Sequence, residues 1–577
     1  MNVLGINMLH GDSSACLVKN GKLISAVEEE RFTRIKHCSE FPIKAITYCL
    51  NASNIQIDEI DYVTINTNYK YNFLNRIFFL LKNIFRINFI SNRAESILGK
   101  VKIKTKLESI NNKKLKAKFI FVPHHLSHAY STMFFTKENK NSLIFSFDGS
   151  GDFSTIESYK ITNDKINLIQ KNIFPHSLGL FYSAFTQFLG FNKFGDEYKF
   201  MGLAGYGNPI YYEEVKKIIK SFVPFKLDMD YLNLPKIDYS NRFPQSNKLF
   251  NEKFEEYFRS KFNQIPNNYE IQFSKDIASS VQKIFEEVVI ANLNHLAKDN
   301  KIDNLYLTGG CAFNSSLVGK LIKTKKFDRV LVDTNPGDAG GAVGSAFCFL
   351  HKKRQKIENS QQTKYLGPIF SNEEIKNTII EKIKNNKKFK YKYYENIEEL
   401  YVKSAELIFY KNIIFWFQDS LEWGPRALGN RSILANPIAK NIKNFINKKI
   451  KKRESFRPFA PAVLEEEANL YFEMMGHKSP NMNIVFDAKI ETIKNLPEII
   501  HADNTCRVQT VSIEDNKKFY KLIENFKKIS GYPILINTSM NVDAPIVNSP
   551  NEAFETFLKT DVEDLILNNW LIQKNSN

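Results

Sequence analysis

Ser142-Leu143-Ile144-Phe145-Ser146-Phe147 runs apolar into Asp148-Gly149-Ser150-Gly151-Asp152, and an alternating run follows from Ser154 to Ile161. After Thr162-Asn163-Asp164, a further run from Lys165 to Gln170 completes the order strand, polar loop, strand, turn, strand. Short apolar runs bounded by turn residues read as buried strands, and this loop would hold a carboxylate at a strand's end. The same order opens the chain. Val3-Leu4-Gly5-Ile6-Asn7 leads to the polar loop His10-Gly11-Asp12-Ser13-Ser14, and two alternating runs, to Lys19 and from Lys22 to Glu28, flank Asn20-Gly21. Asn-Gly between alternating runs is the strongest short hairpin signal, because both residues tolerate positive φ.

A strand-loop-hairpin unit met twice resembles the actin, sugar-kinase and Hsp70 superfamily, which clamps nucleotide phosphates between two copies of a ribonuclease-H-like α/β fold. Two glycine loops extend the pattern. The strand Asn304 to Thr308 runs into Gly309-Gly310-Cys311-Ala312-Phe313-Asn314, and the strand Arg329 to Asp333 runs into Asn335-Pro336-Gly337-Asp338-Ala339-Gly340-Gly341. Glycine lets a nucleotide approach the backbone, and the amides of a following helix favour anions; tight strand-to-helix packing asks for the same residues. Asp12, Gly149, Gly309, Gly310 and Asn314 are the candidate nucleotide contacts of this half, with Lys199 from the segment between. That segment, Phe194 to Gly207, reads as buried and shaped rather than as a regular helix, and residues 210–270 read as a helical insertion.

His124 and His128 are four residues apart just after Pro123, so a helix starting there stacks both imidazoles on one face. Asp148 is the third candidate ligand and Asp338 the fourth. Two imidazoles and two carboxylates suit iron, manganese or zinc rather than calcium or magnesium. An isolated pair of this spacing also occurs as two hydrogen-bonded core histidines.

At 577 residues the chain exceeds one ordinary core, and 43% hydrophobic with 13% aromatic residues supply packed interiors. The polar stretch His351 to Lys364 places the cut near 360, giving domains 1–360 and 361–577. The formal charge of +18 points to anionic partners, although much of it is diffuse lysine. Six cysteines without a CxxC pair argue against a disulfide scaffold and for reduced thiols in a cytoplasm. Residues 72–90 form a basic amphipathic stretch that Arg76, Lys82 and Arg86 keep from spanning a bilayer.

In the second half, Ile413 to Phe417 reads as a buried strand before Glu422-Trp423-Gly424-Pro425-Arg426-Ala427-Leu428-Gly429-Asn430-Arg431-Ser432. Lys451-Lys452-Arg453-Glu454-Ser455-Phe456-Arg457-Pro458-Phe459-Ala460-Pro461, Arg507 and the stretch Asn537-Thr538-Ser539 follow. Cations converging from the ends of buried strands suit a phosphate-holding pocket better than one exposed nucleic-acid face. For Lys448 to Arg453 alone, a solvated helix face is the commoner explanation.

These motifs together resemble the NodU/CmcH O-carbamoyltransferases over nearly the whole chain. The matching stretches are His124 to Ala129, Glu197 to Ala204, Gly424 to Ser432, Arg453 to Pro461 and Arg507 to Val511. The resemblance implies a first domain like the universal tRNA threonylcarbamoyl transferase and a smaller YrdC-like second domain. It implies that the second makes carbamoyl adenylate from ATP, with magnesium possible, and carbamoyl phosphate. The first, with a metal usually taken as Fe(II), would pass the carbamoyl group to a hydroxyl. Carried over, Arg426, Lys451, Arg453, Arg457 and Arg507 bind the phosphorylated substrates, with Asn537 and Ser539 as further contacts. His124, His128, Asp148 and Asp338 hold the metal, and His10 is acid or base on the acceptor hydroxyl. The chain departs from the family at Ser539-Met540-Asn541-Val542-Asp543-Ala544-Pro545, where a basic residue is missing and the segment is shorter.

The implied acceptor is a small-molecule hydroxyl of the sugar, antibiotic or oligosaccharide class, with a homodimer possible and no nucleic acid expected. The alternative is a tRNA-modifying (threonyl)carbamoyl transferase. A nucleotide-binding module without catalysis is the third reading.

Overall fold

Asn20 and Gly21 both take positive φ, 51° and 84°, and close a two-residue hairpin between β2 (Ser14–Lys19) and β3 (Lys22–Glu28). β1 (Asn2–Asn7) pairs antiparallel with β2, and β4 (Tyr62–Ile65) and β5 (Lys118–Phe121) add in parallel on its other side. The sheet order is therefore β3-β2-β1-β4-β5. The computed structural model describes residues 1–8, 10–82, 103–133, 141–162, 165–234, 247–262, 270–298, 302–358, 364–383 and 388–575.

The second copy of the unit builds the second sheet. β6 (Ser142–Gly151), β7 (Ser154–Thr162) and β8 (Lys165–Ile173) form the antiparallel part, with residues 163 and 164 of the expected turn outside the described residues. After a small ribbon of β9 (Ile219–Ser221) and β10 (Lys226–Leu227), β11 (Asn304–Thr308) and β12 (Arg329–Val332) join in parallel, giving β12-β11-β6-β7-β8. Written from the hairpin inward, both sheets have the same strand order and the same pattern of parallel and antiparallel pairs. The duplication read in the sequence is thus a duplication of topology.

Three expectations change. The polar loop after Phe147 belongs to β6, which continues to Gly151 through a bulge: between the pairs Phe147 to Ile156 and Gly151 to Ser154, β6 advances further than β7. Bulges re-aim side chains, here that of Asp148. Glu197–Ala204 is a regular helix despite its glycine, because Phe200, Leu203 and Ala204 bury one side. The 210–270 stretch combines the ribbon with helices Tyr212–Lys216 and Glu252–Phe262, while residues 235–246 and 263–269 lie outside the described residues. Of the basic amphipathic stretch, Phe73–Lys82 is helical and residues 83–90 lie outside the described residues.

The chain divides into two units, Met1–Glu30 with His37–Gln361, and Arg31–Lys36 with Gln362–Asn577. In the second, β13 (Phe389–Tyr393), β14 (Ile413–Phe417), β15 (Arg431–Ala435), β16 (Ala460–Leu464), β17 (Ile484–Asp487), β18 (Thr505–Val511), β19 (Ile534–Ser539), β20 (Asp564–Leu567) and β21 (Trp570–Lys574) form one mixed sheet. Its order is β13-β21-β20-β14-β15-β19-β16-β18-β17. Helices Ile397–Lys411 and Lys517–Ser530 cover it through Leu400, Ile408, Phe519 and Phe526 on Trp416 and Ile566. Each such side chain removed from water contributes about 1.5–3 kcal/mol. Both units are mixed α/β. Among the described residues no helix is long and apolar enough to cross a membrane.

Candidate metal centre and anion site

In the first unit Pro123 precedes the helix His124–Met133, and its first amide, that of His124, donates to Asp152 Oδ2 at 2.9 Å. Asp152 also accepts from Thr67 Oγ1 and the amide of Asn68, so one carboxylate fixes the helix start against the loop after β4. The spacing of four then brings His124 Nε2 and His128 Nε2 to 3.0 Å. Asp148 is aimed by the bulge and by two amides: Gly149 N donates to Oδ1 at 2.6 Å, and Gly310 N to Oδ2 at 3.0 Å. Asp338 stands before the helix Gly340–Lys352. A Cβ on Gly344 would lie 1.8 Å from Ser127 O, so only glycine there lets that helix approach the histidine helix.

The four groups converge. His124 Nε2 is 3.8 Å from Asp148 Oδ2 and 3.4 Å from Asp338 Oδ1, and His128 Nε2 is 3.2 and 3.5 Å from the same atoms. Tetrahedral ligands about 2.1 Å from one ion lie about 3.4 Å apart, so the set fits a divalent ion of the zinc or iron size. Both histidine side chains are 1% exposed while the carboxylates are 17% and 21% exposed, so the cluster opens on its acidic side. Both Nδ1 atoms are buried without a hydrogen-bond partner, so the hydrogen-bonding neighbours of these rings lie on the Nε2 side.

The electrostatics agree. Burial opposes charge on His124, but Asp338 and Asp148 outweigh it and hold its pKa well above the imidazole range. Burial and Asp148 raise the Asp338 carboxyl, yet the two imidazoles bring it to about 2. Such a set demands positive charge at its centre, from a proton or a cation. His125, bonded to Ser146 Oγ and lowered by burial to about 4, stays outside the four. The His10 ring centroid lies 5.1 Å from that of His124, which puts a third imidazole against the cluster.

The remaining candidates of this unit have protein partners. Asp12 Oδ1 meets His37 Nδ1 at 2.7 Å, and Asp12, Glu30 and His37 form a second small cluster. Lys199 pairs with Asp196 at 2.9 Å. Asn314 caps the helix Ser315–Lys323 and exchanges hydrogen bonds with Gln282. Gly309 has φ 91° and a Cβ there would lie 2.2 Å from Phe147 O, so its glycine serves the packing of β11 on β6. The parts that Asp152, Gly151 and Gly344 play here were not assigned from the sequence. The Asp-Gly-Ser-Gly-Asp string held the signal for two of them.

In the second unit the loop carrying Arg426 is built around Glu422, whose Oε1 accepts from the amides of Leu428, Asn430 and Arg431 at 2.8, 2.8 and 3.1 Å. The other arginine of that motif, Arg431, is buried and bonded to the carbonyls of Pro368, Gln418 and Asp419, which makes it structural. Arg507 stands among Arg426, Arg453 and Arg457, and burial together with these like charges pulls its pKa well below the arginine range. Arg453 is held by Asn447 and lies over the Phe459 ring, and Arg457 pairs with Glu454. Guanidinium groups that repel one another in this way are the kind of cluster that a multiply charged anion would offset.

Lys451 ends the π-helical turn Ile446–Lys451 and is only 5% exposed, unlike the solvated Lys448 and Lys449 beside it. Its ammonium donates to Ser539 O, to Asn541 O at 3.2 Å and to Asn541 Oδ1 at 2.7 Å. Burial first, then Arg453 and Arg457, holds its pKa well below the lysine range. Asn537 donates to Ala427 O and Gln509 Oε1, while its own Oδ1 is buried without a partner.

Residues 2–347 match the family model for the carbamoyltransferase N-terminus, and residues 405–574 match that for the carbamoyltransferase C-terminus. An uncharacterised protein of Synechocystis is 35% identical over 99% of this chain and 97% of its own length. The nodulation protein NolNO of Sinorhizobium fredii is 32% identical over 98% of this chain and 80% of its own. Among solved structures, component A of the (R)-2-hydroxyglutaryl-CoA dehydratase of Acidaminococcus fermentans aligns with TM-score 0.34 at 14% identity, covering 62% of this chain and all of that one.

Proposed function

Starting from the chain's membership of the carbamoyltransferase family, we propose that it is an ATP-dependent O-carbamoyltransferase acting on a small-molecule hydroxyl. Carbamoyl phosphate, ATP and water give carbamoyl adenylate, pyrophosphate and phosphate. An alcohol then takes the carbamoyl group and AMP leaves. In this reading the first unit is the actin and Hsp70-type duplication and the second is YrdC-like.

Arg426, Arg453, Arg457 and Arg507 hold the phosphates and offset the charge that develops on the leaving pyrophosphate. Lys451, fixed on Ser539 and Asn541, orients one phosphorylated substrate. The first-unit cluster takes the second step. His124, His128, Asp148 and Asp338 would hold a divalent ion, Fe(II) fitting the donor set, whose chemistry when bound is to polarise a carbonyl. His10 accepts the acceptor's hydroxyl proton, since an alcohol is a poor nucleophile until a base takes that proton.

The convergence of two imidazoles and two carboxylates supports this reading most strongly. The test is incubation of the metal-loaded chain with ATP and carbamoyl phosphate. Pyrophosphate release that requires carbamoyl phosphate is expected, followed by AMP release on addition of a hydroxyl acceptor. Folded, metal-loaded chain that releases no pyrophosphate would sink the proposal.

A further inference from the structure

Arg31–Lys36 is a short stretch of the chain's beginning that clusters with the second unit. Two of its arginines grip main-chain carbonyls there. Arg31 is 2% exposed and donates from Nη2 to Gly424 O at 2.7 Å, two residues before Arg426. Arg34 donates from Nη2 to Pro545 O at 2.6 Å and from Nη1 to Ile546 O at 2.7 Å, with Glu552 Oε2 3.1 Å from Nη1. Its backbone sits at φ 62°. A non-glycine residue in that region is strained by about 1 kcal/mol, and such strain persists only where surrounding contacts hold it.

The grip matters because of what the next residues hold. The loop from Ser539 to Pro545 is closed at its base by Val547 N on Met540 O and inside by Asn541 Nδ2 on Ala544 O. Ser539 and Asn541 are the two residues on which the Lys451 ammonium rests. Pro545 and Ile546 are buried, so without the guanidinium their carbonyls would have to move toward water, carrying Ala544 and Asn541 with them.

We propose that Arg34 is a positioning residue: through the Pro545 and Ile546 carbonyls it fixes the loop that orients Lys451 in the anion site. The inference rests on the carbamoyl-adenylate reading for its consequence but not for its geometry. It also gives the shortened 539–545 segment a purpose, since a short loop is one that a single planar, bidentate side chain can brace. Lysine could not reproduce this, because it offers one nitrogen on a shorter reach where Arg34 divides its contacts between Nη2 on Pro545 O and Nη1 on Ile546 O and Glu552.

The experiment uses the metal-loaded chain with Arg34→Ala, Arg34→Lys, Lys451→Ala and the double variant Arg34→Ala with Lys451→Ala. Two readouts are taken. The first is carbamoyl-phosphate-dependent pyrophosphate release. Arg34→Ala and Arg34→Lys should each lose on the order of a hundredfold in kcat/KM, the usual cost of a misplaced group about 1 Å away. Added guanidinium should restore part of the loss in Arg34→Ala. In the Lys451→Ala background the same substitution should cost less than about threefold more, as expected of residues acting through one another.

The second readout is acylation of the Lys451 amine by an amine-reactive reagent, followed by peptide mass spectrometry. It should rise severalfold in both Arg34 variants. Additive losses in the double variant with unchanged Lys451 acylation would overturn the proposal and make Arg34 a purely structural residue. If the parent chain releases no pyrophosphate, the functional reading falls alone, and acylation of Lys451 still decides the positioning role. Should Arg34→Ala not fold, Arg34→Lys supplies both readouts.

Discussion

A methyl group at residue 151 should empty the candidate metal cluster while leaving all four ligand residues in the sequence. Gly151 follows the bulge in β6, and a Cβ built there would lie 1.9 Å from His124 Cδ2, 2.1 Å from Cγ and 2.5 Å from Nε2. Carbon atoms in contact stay about 3.5 Å apart, so the ring must retreat by at least about 1.6 Å in Gly151→Ala. Metal sites tolerate errors of about 0.2 Å in ligand distance, so a shift of that size removes His124 from the set. Loss of an outer-shell partner alone typically costs 10- to 100-fold in metal affinity, so losing a ligand should cost at least about 100-fold, or about 2.8 kcal/mol. The assay is competition of Fe(II) or Zn(II) against a chromophoric chelator, with retained metal after dialysis counted by mass spectrometry. Gly149→Ala is the control. Its Cβ would meet only Leu180 Cδ2, at 3.7 Å, and its metal affinity should equal the parent's. Parental affinity in folded Gly151→Ala would mean that His124 is not a ligand where the structure puts it.

The other expectations are simpler. Chelation of metal from the parent should lower its melting point, by the equivalent of about 2.7 kcal/mol when the free ion had stood at 100 times its Kd, and re-addition should restore it. Glu422→Ala leaves three buried main-chain donors without their acceptor and should destabilise the second unit by at least about 3 kcal/mol in denaturant melts. Arg507→Gln should abolish pyrophosphate release while leaving the melting point unchanged or higher, because it relieves the repulsion of Arg426, Arg453 and Arg457; a large fall in melting point would contradict this. For His37, burial lowers the pKa but Asp12 outweighs it and lifts it to about 9. A raised folded-state value means the stabilisation is complete below the unfolded value of 6.5 and fades as pH climbs toward about 9. Asp12→Asn should therefore cost more stability at pH 6 than at pH 9.5, and equal costs at both would refute the pairing.

Local chemistry made several features legible from the sequence. Asn20-Gly21 names its own turn because only residues tolerant of positive φ fit there, and the alternating runs on either side name their strands. The repeat of strand, loop and hairpin announced two like sheets, since topology that is built from neighbours in the chain leaves its mark in the order of residues. The four metal-cluster candidates and the basic loops were also visible, because their residue types and the strand ends that carry them are local properties. What remained hidden depends on partners far away in the chain. Asp152 as the acceptor for the His124 amide, Gly344 as the gap through which two helices meet, Arg431 as a structural arginine, and Lys451 as buried beside two exposed lysines are all set by what packs against them. The same holds for Arg31–Lys36, which follows a strand of the first unit yet clusters with the second. Residue type fixes what a group can do, but burial, neighbours and distance fix which of those possibilities it realises, and those three quantities exist only once residues tens to hundreds of positions apart have been brought together.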